Sequence, residues 1–281
     1  MAITLRSLHE YTGTEVGGVD LAKPVSPEDA TLLNQTLALR GLLVFHDQQL
    51  DAPGFAKAIE VFGGLMPQQI DRFCLEDYPI IGFISNRDTD APGGKVIVRG
   101  EQYHTDHSNF EMPPKATALY GVSIPSIGGD TQFVNVQQAY DELPQAVKDR
   151  IDDLKCLHVV ESSRSPRKLA KIGQNGAAIP KHALQPLVAV HSETGRKGLY
   201  LNTARMENIP GMEEEEAHNL IGELMSFATQ PRFEYRHKWR KNDLVIWDNR
   251  TVMHQANGDV PPSELRYLYR LMVQGDALQA A

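Results

Sequence analysis

The sequence predicts a mainly β protein with helical decorations, built on one antiparallel core of jelly-roll type. Three observations carry this. Short apolar or alternating runs, bounded by Gly, Pro, Asn and Asp, recur from one end to the other. Only a few stretches have the helical period. No internal repeat or linker interrupts the 281 residues, a length that a single β-rich domain spanning 1–281 can bury.

Taken in order, 17–21 (GGVDL) reads as a short strand. Ser26-Pro27-Glu28-Asp29 reads as a helix start, with Ser at the cap, Pro at the first position and acids in the first turn. The run 41–45 (GLLVF) suits a buried strand, and a second helix is expected over 52–62, stopped by Gly63-Gly64. The polar, Gly/Pro-rich 88–94 is an exposed loop. Strand character follows at 115–122 and 131–136, separated by the Gly128-Gly129 turn. Apolar residues at helical spacing fill 136–154, with acids early and bases late. The stretch 162–181 is poor in bulky apolar residues and long for a connection, which suits a solvated insertion or a lid over a site. Strands are expected again at 187–191 and 199–201, a helix at 213–228, and strands at 233–239, 243–248, 252–255 and 267–273.

A net charge of −8 lacks the basic field that general nucleic-acid binding needs. Two cysteines, Cys74 and Cys156, give no disulfide framework and no zinc or iron–sulfur spacing. No apolar run approaches ~18 residues, and the N-terminus has no signal-like apolar region. These features fit a cytoplasmic protein that does not enter a membrane.

Chemistry gathers at GEQYHTDHSNF, where His104 and Asp106 stand two apart. On an extended strand such residues share a face. Two imidazoles and one carboxylate, with other positions open, suit non-haem Fe(II). As a lone tripeptide His-x-Asp is weak evidence, and the missing ligand must come from elsewhere. The candidate is His254, on a return strand after the polar turn of WDNR. Further on, Arg266 and Arg270 lie four apart in RYLYR, on one face of a strand, where guanidinium forks call for anions. GGDT at 128–131 is a tight turn that delivers the Thr131 hydroxyl. His107 should face away from His104 and Asp106. His158, His191 and His237 read as structural.

The order HTD, GGDT, WDNR-x3-H and RxxxR resembles the taurine dioxygenase family, which includes enzymes that open aryloxyalkanoate herbicides such as 2,4-dichlorophenoxyacetate. FGGL at 62–65 and HSETGRKGLYL at 191–201 extend the resemblance through nearly the whole chain. It implies a double-stranded β-helix holding Fe(II) through His104, Asp106 and His254. It also implies 2-oxoglutarate as co-substrate, its far carboxylate meeting Arg266 and Thr131, with O2 taking a remaining position. Arg270 would receive the acidic group of the primary substrate. The products would be succinate, CO2 and a hydroxylated small anionic compound, from a homo-oligomer (dimer or tetramer). Because Asp106 is present, hydroxylation is implied rather than halogenation.

This chain departs from the taurine enzymes in three places. Met66–Asp71 has neither of their substrate-binding His and Tyr, Tyr103 replaces the usual Trp before the first ligand, and the segment from His254 to Arg266 is one residue longer. The expected substrate is therefore a small carboxylate or sulfonate other than taurine, with Tyr103 beside it in the pocket. Two competing readings are a jelly-roll binding protein without catalysis and a zinc hydrolase with the same ligands. The second gives the paired arginines no use.

Overall fold

The computed structural model describes residues 2–87, 100–160, 162, 163, 165 and 181–281. The loop expected at 88–94, and the body of the expected lid at 166–180, lie outside the described residues.

The chain begins with β1 (Thr4–Ser7) and β2 (Thr14–Gly17), then α1 (Pro27–Arg40), β3 (Leu42–Phe45), α2 (Ala52–Glu60), β4 (Leu65–Met66) and β5 (Gly82–Ser85). The middle holds β6 (Ala116–Ser123), β7 (Thr131–Asn135), α3 (Val136–Asp141), α4 (Gln145–Ile151), β8 (Lys155–Val159) and β9 (His182–Pro186). There follow β10 (Val188–Val190), β11 (Lys197–Leu199), β12 (Met206–Asn208) and α5 (Glu214–Ala228). Four more strands bring the chain to its end: β13 (Glu234–His237), β14 (Leu244–Asp248), β15 (Val252–Ala256) and β16 (Tyr267–Val273), with the short β17 (Gln279–Ala280) last.

Local chemistry explains several of these boundaries. Ser26 caps α1, its hydroxyl accepting from the Asp29 amide at 3.1 Å, with Pro27 in the first turn. Gly41 ends the helix at φ 70°, where an added Cβ would come within 2.7 Å of the Thr251 side chain. Other expectations needed correction. The strand expected at 17–21 lies earlier, at β2, because Gly18 turns the chain at φ +77°. The helix expected over 136–154 is two helices, since Pro144 has no N–H to continue the first and instead caps the second. α2 stops two residues early, β11 lies two residues earlier than expected, and β1 and β9 had given no signal.

The architecture is mainly β with few helices. The largest sheet runs β1-β2-β3-β14-β6-β16-β4, with β5 also on β16, and a three-stranded sheet runs β13-β7-β15. Smaller sheets are β11-β10-β17 and β12-β8-β9. Only β2 and β3 pair in parallel among the described strands. Alternation sorts the side chains. Leu42, Val44, Val245, Trp247, Leu119 and Leu268 of the large sheet pack on Phe133 and Val252 of the small one. Their neighbours Leu43, Phe45, Leu244 and Ile246 face the other way, onto Leu33 and Leu37 of α1 and Phe55 and Ile59 of α2. Behind the small sheet, Val134 and Met253 meet Leu220, Ile221 and Leu224 of α5. No helix among the described residues is long and apolar enough to cross a membrane.

Two of the sequence motifs form one brace. Asp248 of WDNR is fully buried, bonded to His191 at 3.1 Å and to the Arg250 guanidinium at 2.6 and 2.9 Å. His191 Nδ1 accepts from the Glu193 and Thr194 amides, so Nε2 carries the proton toward Asp248. Arg250 continues to Ser192 and Glu193, and Lys115 closes on Glu193. His191 is thus structural, as is His237, which pairs with Asp243 at 3.1 Å.

Removing the Asp248 carboxylate leaves His191 buried without its acceptor and Arg250 with only the part-exposed Glu193 and Ser192, so Asp248→Ala should cost about 3–5 kcal/mol in urea unfolding at pH 7. Burial pushes the Asp248 carboxyl up, but Arg250 and His191 outweigh it and hold it below the usual range. Its contribution is therefore complete above the unfolded value near ~3.9 and is lost as pH falls toward the folded one. The gap between wild type and variant should be constant from pH 5 to 8 and shrink below about 4.

Candidate metal centre

His104 forms an isolated antiparallel bridge with His254, each amide donating to the other's carbonyl at 3.0 Å. The bridge extends the small sheet by one residue beyond β15 and sets the two imidazoles with ring centroids 4.2 Å apart. Asp106 is not on that strand. The chain turns over 106–109, with His107 at φ 46°, so the carboxylate returns to the imidazoles through a turn and not through strand alternation. His107 consequently sits in this turn, its ring edge-on to Phe110 at 5.1 Å.

The three side chains form a group whose donor atoms lie within 4.8 Å of one another. Asp106 stands 3.8 Å from His104 Nε2 and 3.9 Å from His254 Nε2. Two donors that each reach a shared ion at about 2.1 Å stand roughly 3–4 Å apart, so the spacing suits a metal. Protonation suits it as well. Burial holds both imidazoles below their usual value. Burial also pushes the Asp106 carboxyl up, but Arg270 and the imidazoles outweigh it and keep it well below the carboxylate range. Neutral His and ionised Asp are the forms that bind metal. His104 Nδ1 donates to the Gln102 carbonyl at 2.7 Å, which leaves Nε2 free as a ligand.

A hydrogen-bond chain aims the carboxylate. Thr117 Oγ1 donates to Asp106 at 2.7 Å, Asn249 Nδ2 donates to Thr117 at 3.0 Å, and Trp247 Nε1 donates to Asn249 at 3.1 Å. The WDNR turn therefore acts on the Asp106 carboxylate through β6. Sequence reading had singled out neither Asn249 nor Thr117 for this. Asn249 sat in a quoted motif, while Thr117 looked like an ordinary strand residue.

Arg266 is 6 % exposed, and its Nε donates to the Gly129 carbonyl at 2.7 Å, with Thr131 Oγ1 at 3.4 Å from the guanidinium. Gly128 and Gly129 adopt φ +76° and +70°, and a Cβ on Gly129 would lie 2.7 Å from Arg266 Cδ. GGDT is therefore the turn that lets Arg266 in. Burial lowers this guanidinium to about 10, and no carboxylate among the described residues pairs with it. Arg270 lies 3.0 Å from Asp106 and 3.4 Å from Gln68, inside the segment where this chain departs from the taurine enzymes. The Tyr103 hydroxyl donates to Glu234 at 2.6 Å, with Gln132 donating to the same oxygen, so it is held on β13.

This geometry sits in a chain whose residues 4–272 match the family described as "Taurine catabolism dioxygenase TauD, TfdA family". The chain belongs to that family. It is 30% identical over 270 residues to the alpha-ketoglutarate-dependent 2,4-dichlorophenoxyacetate dioxygenase of Burkholderia sp. (strain RASC), covering 91% of this chain and 89% of the relative. A taurine dioxygenase from Burkholderia xenovorans superimposes with a TM-score of 0.84 at 28% identity, covering 99% and 91% of the two chains. AAD-2, crystallised with Mn(II) and N-oxalylglycine, gives 0.81 at 30% identity, covering 98% of each. This TauD, TfdA family member is a 2-oxoglutarate-dependent non-haem iron dioxygenase, using Fe(II) and O2. Neither the non-catalytic binder nor the zinc hydrolase finds support in these likenesses.

Thr117→Val keeps the shape and removes the donor that aims Asp106. Calorimetry should show Mn(II) affinity weakened about 10- to 100-fold, with little change in melting temperature.

Proposed function

We propose that this dioxygenase hydroxylates a small organic acid, a carboxylate or sulfonate such as an aryloxyalkanoate or alkanesulfonate, at a metal held by His104, Asp106 and His254. The observation that carries the reading is the meeting of these three donors, brought from turn and strand by the reciprocal His104–His254 bridge. The two sheets that enclose Phe133 and Trp247 support a double-stranded β-helix, and the continuous element order supports one catalytic domain over 1–281.

Bound Fe(II), with 2-oxoglutarate and O2, supplies the oxidising power that hydroxylates a substrate C–H bond as the keto acid becomes succinate and CO2. The chain's residues arrange the parts. Thr117 and Asn249 fix the Asp106 carboxylate. Arg266 and Thr131 form the seat for the far carboxylate of 2-oxoglutarate, the buried guanidinium being costly until an anion meets it. Arg270 shares Asp106 with Gln68. With Asp106 serving as a metal ligand, Arg270 would have less of that carboxylate and would be free to receive a substrate anion. Tyr103, its hydroxyl already held by Glu234, offers that substrate its ring.

The assay is succinate release by iron-loaded protein given 2-oxoglutarate, O2 and a panel of acids. His104→Ala and Asp106→Ala should abolish it, together with the weak visible band of anaerobic Fe(II) plus 2-oxoglutarate. Full activity in both variants would place the chemistry elsewhere. Arg266→Met should raise the KM for 2-oxoglutarate about 10- to 100-fold, the loss of a charge-assisted hydrogen bond, with a smaller change in kcat.

A further inference from the structure

A second guanidinium near the centre has no carboxylate partner among the described residues. Arg205 lies in the turn between β11 and β12, half-buried. That turn is tied to the metal motif: Asn202 Nδ2 donates to the Thr105 carbonyl at 2.8 Å, and the Asn202 carbonyl accepts from the Arg205 amide at 2.9 Å. The Arg205 guanidinium donates to the Val160 carbonyl at 3.0 Å, and no carboxylate among the described residues lies within ion-pair distance of it. The Asn202–Thr105 bond holds this turn against the residue that precedes Asp106.

The polar atoms around Arg205 are also unmet. The Tyr200 hydroxyl, both ring nitrogens of His158 and Asn202 Oδ1 are buried without hydrogen-bond partners among the described residues. His158 is paired across the sheet with Met206, next to Arg205, and its ring lies 5.8 Å from that of Tyr200. Buried polar groups are ordinarily satisfied, and a cluster of exceptions around a cation points to a missing polar ligand.

The reasoning rests on the proposed metal and 2-oxoglutarate sites. A divalent cation is matched by the Asp106 carboxylate and the near carboxylate of the keto acid. Arg266 is matched by the far one. Arg270 and Arg205 are left, two positive charges in a partly enclosed site where uncompensated charge is costly. A monoanion answers one of them.

We propose that Arg205 joins Arg270 in holding the primary substrate, and that this substrate is an acid bearing two negative charges, a dicarboxylate or a phosphonate. The Tyr200 hydroxyl and His158 would complete the hydrogen bonding of its second anionic group.

The test is calorimetry on protein loaded with Mn(II) and N-oxalylglycine, at about pH 8.5 so that alkylphosphonates carry two charges. Glutarate is compared with butanoate, and propane-1-phosphonate with propane-1-sulfonate. At least one dianion should bind at least about tenfold more tightly than its partner, the effect of one added charge-assisted contact. Which pair shows the preference tells a dicarboxylate from a phosphonate. Arg205→Met should erase the preference, and Arg205→Lys should restore much of it. The proposal fails if neither dianion outbinds its monoanion, or if Arg205→Met keeps the preference. Binding of Mn(II) and N-oxalylglycine to wild type is read first. Its failure would overturn the metal and co-substrate reading, and this proposal with it, whereas its success with no dianion preference overturns the dianion alone.

Discussion

Two reciprocal backbone hydrogen bonds between His104 and His254 hold the centre together. They make an antiparallel pair from residues far apart in sequence, and that pairing sets both imidazoles side by side. β15 is in turn registered on β7, with His254 opposite Phe133, and Phe133 lies in the core against Trp247. A shift of one residue in that register would send His254 to the α5 side and replace it with an apolar neighbour. The geometry of the donors is therefore inherited from sheet packing, and cavity-forming changes at Phe133 or Trp247 reach the site through the ladder.

What the sequence could reveal followed physical rules that act locally. Buried runs such as Leu42–Phe45 and Leu244–Asp248 were legible because both faces of these strands are covered, which leaves an almost unbroken apolar string. The Ser26-Pro27 helix start was legible because capping is a contact of three residues. The turn at Asp106 was not. Its approach to His104 depends on His107 adopting φ 46°, a conformation that Asn or Gly advertises more plainly than His does. The helix over 136–154 was misjudged because periodicity outweighed one Pro144 that breaks it. Edge strands such as β1, exposed along its whole length, carry no burial pattern to read.

The site divided in the same way. His104, Asp106, His254, Arg266 and Thr131 stand in ordered motifs; the structure gathers the first three into one group and sets Arg266 beside Thr131. Thr117, Asn249 and Arg205 carry no such mark. Thr117 matters because β6 passes beneath Asp106, and Arg205 because Asn202 ties its turn to Thr105. These are facts of tertiary neighbourhood. Sequence did not reveal that the Tyr103 hydroxyl is committed to Glu234 on β13, which leaves only its ring for the role expected of it.

The charge pattern joins these threads. The chain is acidic as a whole, at −8, yet Arg270 lies 3.0 Å from Asp106, and the turn that carries Arg205 is bonded to Thr105 beside it. Arg266, deeper at the GGDT turn, is a third guanidinium. Other guanidiniums away from the centre are met in two ways: Arg250 has Asp248 and Glu193, whereas Arg40 has only the backbone carbonyls of His9, Glu10 and Gly13. A part-buried guanidinium costs less stability the more acceptors meet it, and among the described residues Arg205 has one carbonyl where Arg40 has three. In the proposed reading the keto diacid answers Arg266 and the primary substrate answers Arg270, which in the free chain has Asp106. Arg205 is then the charge to which that reading assigns the substrate's second anionic group.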